Sequence, residues 1–423
     1  MKVNALKGMK DILPAEQRLR DYVQQKILQT YRASGFERIS TPMLEDAENL
    51  DKSDGGDNLN LIFKVLKRGE KLESALAENP VEEKNLSDMG LRYDLTLPLT
   101  RFFAANRNEL QFPFKVIQTD RVFRAERPQK GRSREFVQCD IDILGDSSAN
   151  AEVELIDVTA RALLNIGFGD FVININDRRI LRNMLETMGF VSETLDSVCI
   201  SFDKMDKIGA EGVQRELEEK NMPQSAIKNL VDFISGGNEI TLDSVAAKCA
   251  EPSVADELKY VIKTATEVSG GKYKIIYSPT LVRGQGYYTG IVFEIGSLDF
   301  SGAVGGGGRY DNLIGKFIGQ QIPAVGFSIG FERICAILLE KGYKIPGEKE
   351  KCALLYEDSI PFVQVLACAE KLRNDYSVAV IKKAKKAGPQ FDMLEKQGYT
   401  KFAGFKDGEF FVKGTSKNCN FSR

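Results

Sequence analysis

The sequence predicts an α+β protein of two or three domains, and three observations carry that expectation. The chain has 423 residues, too many for one compact core. Two apolar, β-prone runs in FPFKVIQTDRVFRAERPQKGRSREFVQCDIDILG read as a long antiparallel hairpin. Strand-rich stretches elsewhere are interrupted at residues 186–265 by a charged segment of helical character.

Each element follows from local pattern. Pro14 precedes a polar, periodic segment that ends at Ser34 with Gly35 behind it, so one helix is expected over about residues 15–34. FERIST alternates into Pro42 as a strand stopped by proline. Residues 64–90 are rich in Lys and Glu and read as a solvated excursion, and LRYDLTLPLTRFFA reads as a strand running into a helix. The hairpin comes next, its polar tip ERPQKGRSR strongly cationic. AEVELIDVTARALLNIGF has helical spacing with Gly past its last turn, and FVININD is a strand. Lys- and Glu-rich residues 186–265 read as a separate helical insertion. YKIIY, YYTGIVFEIG and SGAVGGGGRYD resume the strands, and AVGFSIGFERICAILLE is a strand feeding a helix. After the linker KGYKIPGEKEK, a small unit alternates CALLYE, a helix through LACAEKLRND, and YSVAVI. FAGF and EFFVK then pair across Asp407-Gly408. The expected division is a core of 1–185 and 266–338, an insertion of 186–265, and a C-terminal α/β domain of 349–423.

Composition excludes several classes. Lys plus Arg is 58 against 60 Asp plus Glu, a net charge of −2. That balance excludes a polybasic nucleic-acid binder but not a local basic face. With 43% hydrophobic and 28% charged residues the chain is not a disordered one. No apolar run approaches membrane-spanning length, and MKVNALKGMKDILP lacks a signal-peptide core, so neither a span nor export is expected. The 7 cysteines are odd in number and no C-x-x-C occurs. A zinc ribbon or disulfide framework is not expected, and a reducing cytoplasm is. Histidine is absent altogether, which removes Ser-His-Asp triads, imidazole bases and His-ligated metals together. Chemistry here must use carboxylates, Arg, Lys, Tyr, Thr, Cys and bound cations.

VGGGGRYD and RGQGYYTG are glycine-rich. Neither is a G-x-G-x-x-G between strand and helix, and no G-x-x-x-x-G-K-[ST] occurs. A glycine strand approached closely by a ligand or another backbone is the better reading. Arg124 and Arg333 lie in apolar, strand-like surroundings, VFRAE and FSIGFERI. A buried arginine needs an anion, and two from distant segments meeting near a glycine strand would make a triphosphate site. Asp94 and Thr96 alternate with leucines, and Asp140 and Asp142 with isoleucines, which puts the latter two on one strand face. Tyr287 and Tyr288 would point to opposite faces of an extended strand. With Gln138, these groups describe a pocket for a small, cationic, polar ligand. A solvated outer sheet face fits the same alternation.

These residues also carry a resemblance that spans essentially the whole chain. GMKDILP and GFERISTPMLE are similar to the opening and motif 1 of the histidyl-tRNA synthetase family, a class II aminoacyl-tRNA synthetase family. VFRAERPQKGRSREFVQCDIDILG resembles its motif 2, LVRGQGYYTG and GGGGRYD its two histidine-specific signatures, and AVGFSIGFERI its motif 3. The resemblance implies a six-stranded antiparallel sheet flanked by helices, a homodimer through motif 1, and an anticodon-binding-like C-terminal domain. It implies a cytoplasmic ligase that activates L-histidine with ATP and transfers it to tRNA(His). By the same resemblance Arg124 holds the ATP α-phosphate and the substrate carboxylate, Arg333 the γ-phosphate, and Glu126 the adenine amino group. Arg132 also belongs to the ATP site, and Arg283 is the catalytic cation, also touching histidine. Asp94, Thr96 and Gln138 bind the α-ammonium of histidine, Asp142 and Tyr288 read the imidazole, and Tyr287 lines the pocket. Arg127 and Gln129 touch the tRNA acceptor end, and Mg2+ accompanies the β- and γ-phosphates, with no protein metal site. Gln285-Gly286 and Val137 depart from the commoner family residues, and the C-terminal unit is short. A synthetase-like regulatory subunit of ATP phosphoribosyltransferase shares the fold but usually lacks that unit and loses motif residues. Retention of Arg124, Glu126, Arg333 and the C-terminal unit favours the ligase.

Overall fold

The computed structural model describes residues 3–50, 61–127, 133–202, 204–235, 241–247, 251–282, 287–298, 300–406 and 409–413. It divides into two compact units, Met1–Tyr343 and Lys344–Arg423.

The first unit opens with the helix Pro14–Ala33, which has Pro at its first turn and ends at Ser34. Its Leu19, Val23, Ile27 and Tyr31 are buried one or two turns apart, the spacing that puts them on one face. That face packs on the helix Asn150–Asn165. The strands of this unit are β1 (Glu37–Arg38), β2 (Leu44–Asp46), β3 (Phe63–Leu66), β4 (Ser87–Leu91), β5 (Phe114–Phe123), β6 (Glu135–Leu144), β7 (Phe171–Asp177), β8 (Lys274–Tyr277), β9 (Ile291–Ser297), β10 (Phe300–Arg309) and β11 (Ala324–Ile329).

The main sheet has eight strands in the order β1-β5-β6-β11-β10-β9-β7-β8. This corrects the expectation of six. The central six, β5 to β7 in that order, are antiparallel throughout. Each edge adds a short strand in parallel, β1 on β5 and β8 on β7. Parallel pairing requires a long crossover rather than a tight turn. The chain between β7 and β8 is helical over Arg178–Thr187, Leu195–Phe202, Met205–Glu219, Gln224–Ser235, Leu242–Ala246 and Pro252–Ser269. The last of these helices returns against β7, β8 and the helix Asn150–Asn165.

The hairpin of β5 and β6 runs in register from Phe114 opposite Leu144 to Phe123 opposite Glu135. The stretch read as a solvated excursion is instead folded. β2, β4 and β3 make a three-stranded antiparallel sheet, with the helix Glu70–Leu76 in the connection. Its charged residues mask the signal, because β3 alternates half-buried Phe63 and Val65 with exposed Lys64 and Leu66.

The second unit is a four-stranded sheet of β12 (Lys351–Tyr356), β13 (Ser377–Lys382), β14 (Tyr399–Lys406) and β15 (Glu409–Lys413), ordered β13-β12-β14-β15. The β14–β15 pair is antiparallel and the others parallel. The turn expected at Asp407-Gly408 lies outside the described residues. The helix Ala387–Lys396, entered through Gly388 and Pro389, was hidden in sequence by those two turn-forming residues. Among the described residues no helix is long and apolar enough to cross a membrane.

One ion pair ties the sheet to its helical layer. Arg309, at the end of β10, donates Nε to Glu152 Oε1 at 2.5 Å and Nη2 to Oε2 at 2.7 Å. The Glu152 side chain is 0% exposed. Truncating Arg309 would strand that carboxylate in the interior. Arg309→Ala is expected to lower stability by about 3–5 kcal/mol, measured by guanidinium denaturation. A loss below about 1 kcal/mol, the value of a surface pair, would show that water replaces the guanidinium without cost.

Candidate active site

The site is built on one face of the main sheet. On β6, Cys139, Ile141 and Ile143 are fully buried on one side. Gln138, Asp140 and Asp142 alternate onto the other and line a cavity of about 580 Å³. The floor is glycine strand, Gly305 to Gly307 of β10 and Gly326 of β11. Close approach explains the glycines. A Cβ on Gly307 would lie 2.0 Å from the Gly326 carbonyl oxygen, and one on Gly326 would lie 1.9 Å from Asp142 Oδ1. The reading of GGGG as closely approached strand rather than phosphate loop is what the geometry shows.

The rest of RYD continues the same logic. Arg309 holds Glu152, and Tyr310 donates its hydroxyl to Asp142 Oδ1 at 2.7 Å. Asp311 Oδ1 accepts from the Ala324 amide at 2.9 Å, where β11 begins.

Other walls come from distant segments. Asp94 is 2% exposed and accepts the Leu97 amide at 3.2 Å, opening the helix Thr96–Asn106. Arg124, the first residue beyond β5, donates Nε to the Tyr93 carbonyl at 3.0 Å and lies 5.0 Å from the Phe136 ring centre. Its guanidinium is thereby aimed from two sides. Arg333, in the first turn of the helix Phe331–Glu340, donates to the Ala303 carbonyl. Gln138 donates to Asp140 Oδ2 at 3.3 Å.

The electrostatics of the deep end follow from burial. Asp94 is pushed up to about 6 by desolvation, against the pull of the Leu97 amide and Arg124. Asp142 is pushed up to about 7 by desolvation, with the Tyr310 hydroxyl opposing and Asp94 adding. Asp140 is raised well above the usual carboxylate range, first by burial and then by Asp142. Asp94 Oδ2 and Gln138 Oε1 are buried acceptors without a hydrogen-bond partner among the described residues. Such a pocket calls for a ligand rich in N–H donors and positive charge. Arg124 and Arg333, both half-buried in the same lining, call for anionic groups.

The structure brings nine of the expected residues, Asp94, Thr96, Arg124, Glu126, Gln138, Asp142, Tyr287, Tyr288 and Arg333, to this one cavity. Arg127 is exposed and lies outside its lining. Gln129, Arg132 and Arg283 fall outside the described residues. Tyr287 and Tyr288 do not diverge as adjacent strand residues would. β9 begins only at Ile291, and the two rings stand 4.8 Å apart and line the cavity together. Tyr310, Phe136, Glu332 and Lys10 also line it and were not foreseen. All four lay inside quoted motifs, Lys10 in GMKDILP, Phe136 in motif 2, Tyr310 in GGGGRYD and Glu332 in motif 3, but without a role assigned.

Residues 8–334 match the family model described as histidyl-tRNA synthetase. The chain is 40% identical over 412 residues to a histidine–tRNA ligase of Leifsonia xyli subsp. xyli, with 94% of each chain covered. It is 38% identical over 349 residues to a histidine–tRNA ligase of Phocaeicola vulgatus, covering 78% of this chain and 75% of that one. Among solved structures, histidyl-tRNA synthetase from Nostoc sp. PCC 7120 has a TM-score of 0.77 at 26% identity, covering 98% of this chain and 97% of that one. A Bacillus halodurans structure described as an ATP phosphoribosyltransferase regulatory subunit/histidyl-tRNA synthetase has a TM-score of 0.74 at 20% identity, covering 96% and 97%, a likeness of fold.

The raised Asp142 has a measurable consequence. The unfolded chain gives up this proton near pH 3.8 and the folded protein near 7. The fold therefore retains a proton that the unfolded chain releases, and this group lowers stability progressively across that interval. Relative to the unmodified protein, Asp142→Asn is expected to gain stability steadily from about pH 4 to about pH 7 and then level off. Denaturation at several pH values without ligand measures the difference. A difference independent of pH would mean that Asp142 ionises as it does in water.

Proposed function

The chain belongs to the histidyl-tRNA synthetase family, and from that premise we propose that the cavity is the histidine-activating site of a histidine–tRNA ligase. The observation that carries the reading is the meeting of buried, unpaired acceptors and two arginines in one cavity. Asp94, Thr96 and Gln138 take the α-ammonium, whose N–H groups suit the unpaired Asp94 and Gln138 oxygens. Asp142 and Tyr288 take the two imidazole nitrogens, with Tyr287 closing the wall. Arg124 bridges the substrate carboxylate and the ATP α-phosphate, Arg333 takes the γ-phosphate, and Glu126 the adenine amino group. Arg132 and the catalytic Arg283 complete the cationic end.

Activation is attack of the histidine carboxylate on the α-phosphorus, with pyrophosphate leaving. The carboxylate is already ionised, so the step needs positive charge and alignment rather than a proton acceptor. A chain without histidine can therefore perform it. Placing hydrogen-bonding groups at the imidazole rejects analogues that lack its nitrogens more strongly than an apolar pocket would. The acceptor end of tRNA(His) would then meet Arg127 and Gln129 and receive the histidyl group. Mg2+ would enter with the nucleotide as counter-ion of the β- and γ-phosphates. Among the described residues no group of three or more Asp, Glu or Cys could hold a metal.

The class II assignment is supported by the antiparallel core of the sheet. Residues 1–185 with 266–338, 186–265 and 349–423 stand as catalytic core, insertion and anticodon-binding-like domain. Homodimerisation through motif 1 is supported by exposed apolar residues on and beside the small sheet, Met43 at 41%, Leu44 at 47% and Leu66 at 57%. Work in the cytoplasm, where tRNA is charged, completes the proposal.

Histidine-dependent ATP–pyrophosphate exchange, followed by charging of tRNA(His), tests the reading. Exchange without charging would favour a regulatory relative, and no exchange would overturn the site assignment. Asp142→Asn is expected to raise the histidine KM by about 10–100-fold, the scale of a charged hydrogen bond, with the ATP KM little changed. Equal loss for both substrates would make Asp142 structural. Arg283→Ala is expected to slow single-turnover adenylate formation by about 10²–10³, with binding of both substrates largely retained. An unchanged rate would remove Arg283 from the mechanism.

A further inference from the structure

The nucleotide end of the cavity contains a carboxylate that the proposed chemistry does not use. Glu332 lines the cavity directly beside Arg333. A negative charge there would repel a triphosphate and compete with it for Arg333. Its position is not accidental packing. β11 ends at Ile329, opposite Cys139, so the Val137 amide two residues further along β6 has no strand to donate to. Glu332 Oε1 accepts that amide at 3.1 Å. The carboxylate thus extends the sheet where the backbone has turned into a helix. It also fixes the segment whose neighbours Phe136 and Gln138 support Arg124 and Asp140.

Behind Glu332 stands Arg20, from the first long helix and 312 residues away in sequence. Its two terminal nitrogens meet the two carboxylate oxygens at 2.6 and 2.7 Å. The guanidinium lies 4.9 Å from the Phe331 ring centre, and Arg20 is 8% exposed. Glu16 stands 3.9 Å from Arg20 and pairs with Lys10 at 2.7 Å, and Lys10 lines the same cavity.

We propose that Arg20 is a positioning residue for nucleotide binding. It neutralises Glu332 from outside the cavity, so that this carboxylate can hold β6 in place without repelling the phosphates that Arg333 receives. Arg20 touches neither substrate. The inference rests on the reading of the cavity as an ATP site.

Exchange kinetics with ATP and histidine varied separately provide the test. Arg20→Met keeps the length of the side chain and removes its charge. It is expected to raise the ATP KM about tenfold, the effect of one uncompensated charge at partly solvated range, and to leave the histidine KM within about twofold. Arg20→Met combined with Glu332→Gln should restore the ATP KM, because the amide oxygen still accepts from Val137 and no charge remains. Arg20→Lys, which keeps the charge, should stay within about threefold of the unmodified ATP KM. If Arg20→Met does not fold, the double variant and the lysine variant carry the test. A raised ATP KM in the double variant, a lysine variant as impaired as methionine, or equal changes for both substrates would overturn the proposal. An unmodified protein without any exchange would instead overturn the ATP reading, so the two failures are distinguishable.

Discussion

Asp94, Asp140 and Asp142 are each at most 5% exposed, and desolvation raises the proton affinity of all three. Taking one carboxylate out of water is costly, and taking three into one cavity is tolerable only with internal donors or a cationic ligand. The surrounding structure reads as a response to that constraint. The Tyr310 hydroxyl, the Leu97 amide and the Arg124 guanidinium each address one or more of the three. What remains unmet among the described residues, at Asp94 Oδ2, Gln138 Oε1 and Asp140 Oδ1, favours a ligand that brings N–H donors and positive charge. Recognition of a histidine ammonium and imidazole would relieve the electrostatic cost of burying these carboxylates.

The glycine strands are the steric counterpart. Asp142 occupies the space above Gly326, and the backbone of β11 occupies that beside Gly307. Side chains at these positions would lift the floor toward the ligand and push Asp142 aside. RYD then spends one residue on each neighbouring layer. Arg309 joins the sheet to the helix Asn150–Asn165, Tyr310 orients Asp142, and Asp311 anchors the start of β11. A signature that looks like a ligand-binding loop works mainly by holding the groups around the cavity.

Charge is arranged with the same economy at the opposite end. Under the proposed nucleotide role the cavity needs cations for a polyanion, while the sheet edge needs an acceptor for Val137. Glu332 supplies the acceptor and Arg20 cancels its charge from the helix Pro14–Ala33. The buried pair of Arg309 and Glu152 shows the same device in a purely structural setting.

Local order was legible in the sequence wherever one segment carried its own pattern. The helix ending at Ser34, the hairpin of β5 and β6, and the placement of Asp140 and Asp142 on one face all follow from periodicity and turn residues. The glycine strand was legible for the same reason, whereas the nine expected residues that share one cavity were named by motif resemblance and not by local pattern. FERIST and YKIIY read as strands and hold β1 and β8, but their parallel pairing at the sheet edges was not legible, because it depends on where long crossovers return the chain. The shared orientation of Tyr287 and Tyr288 was not, because it depends on where β9 starts, a boundary set by pairing with β7 and β10. The roles of Tyr310 and of Arg20 with Glu332 were decided only by tertiary structure. A hydrogen bond across 168 residues and an ion pair across 312 leave no trace in local pattern, since each partner alone reads as an ordinary polar residue until folding brings the other beside it.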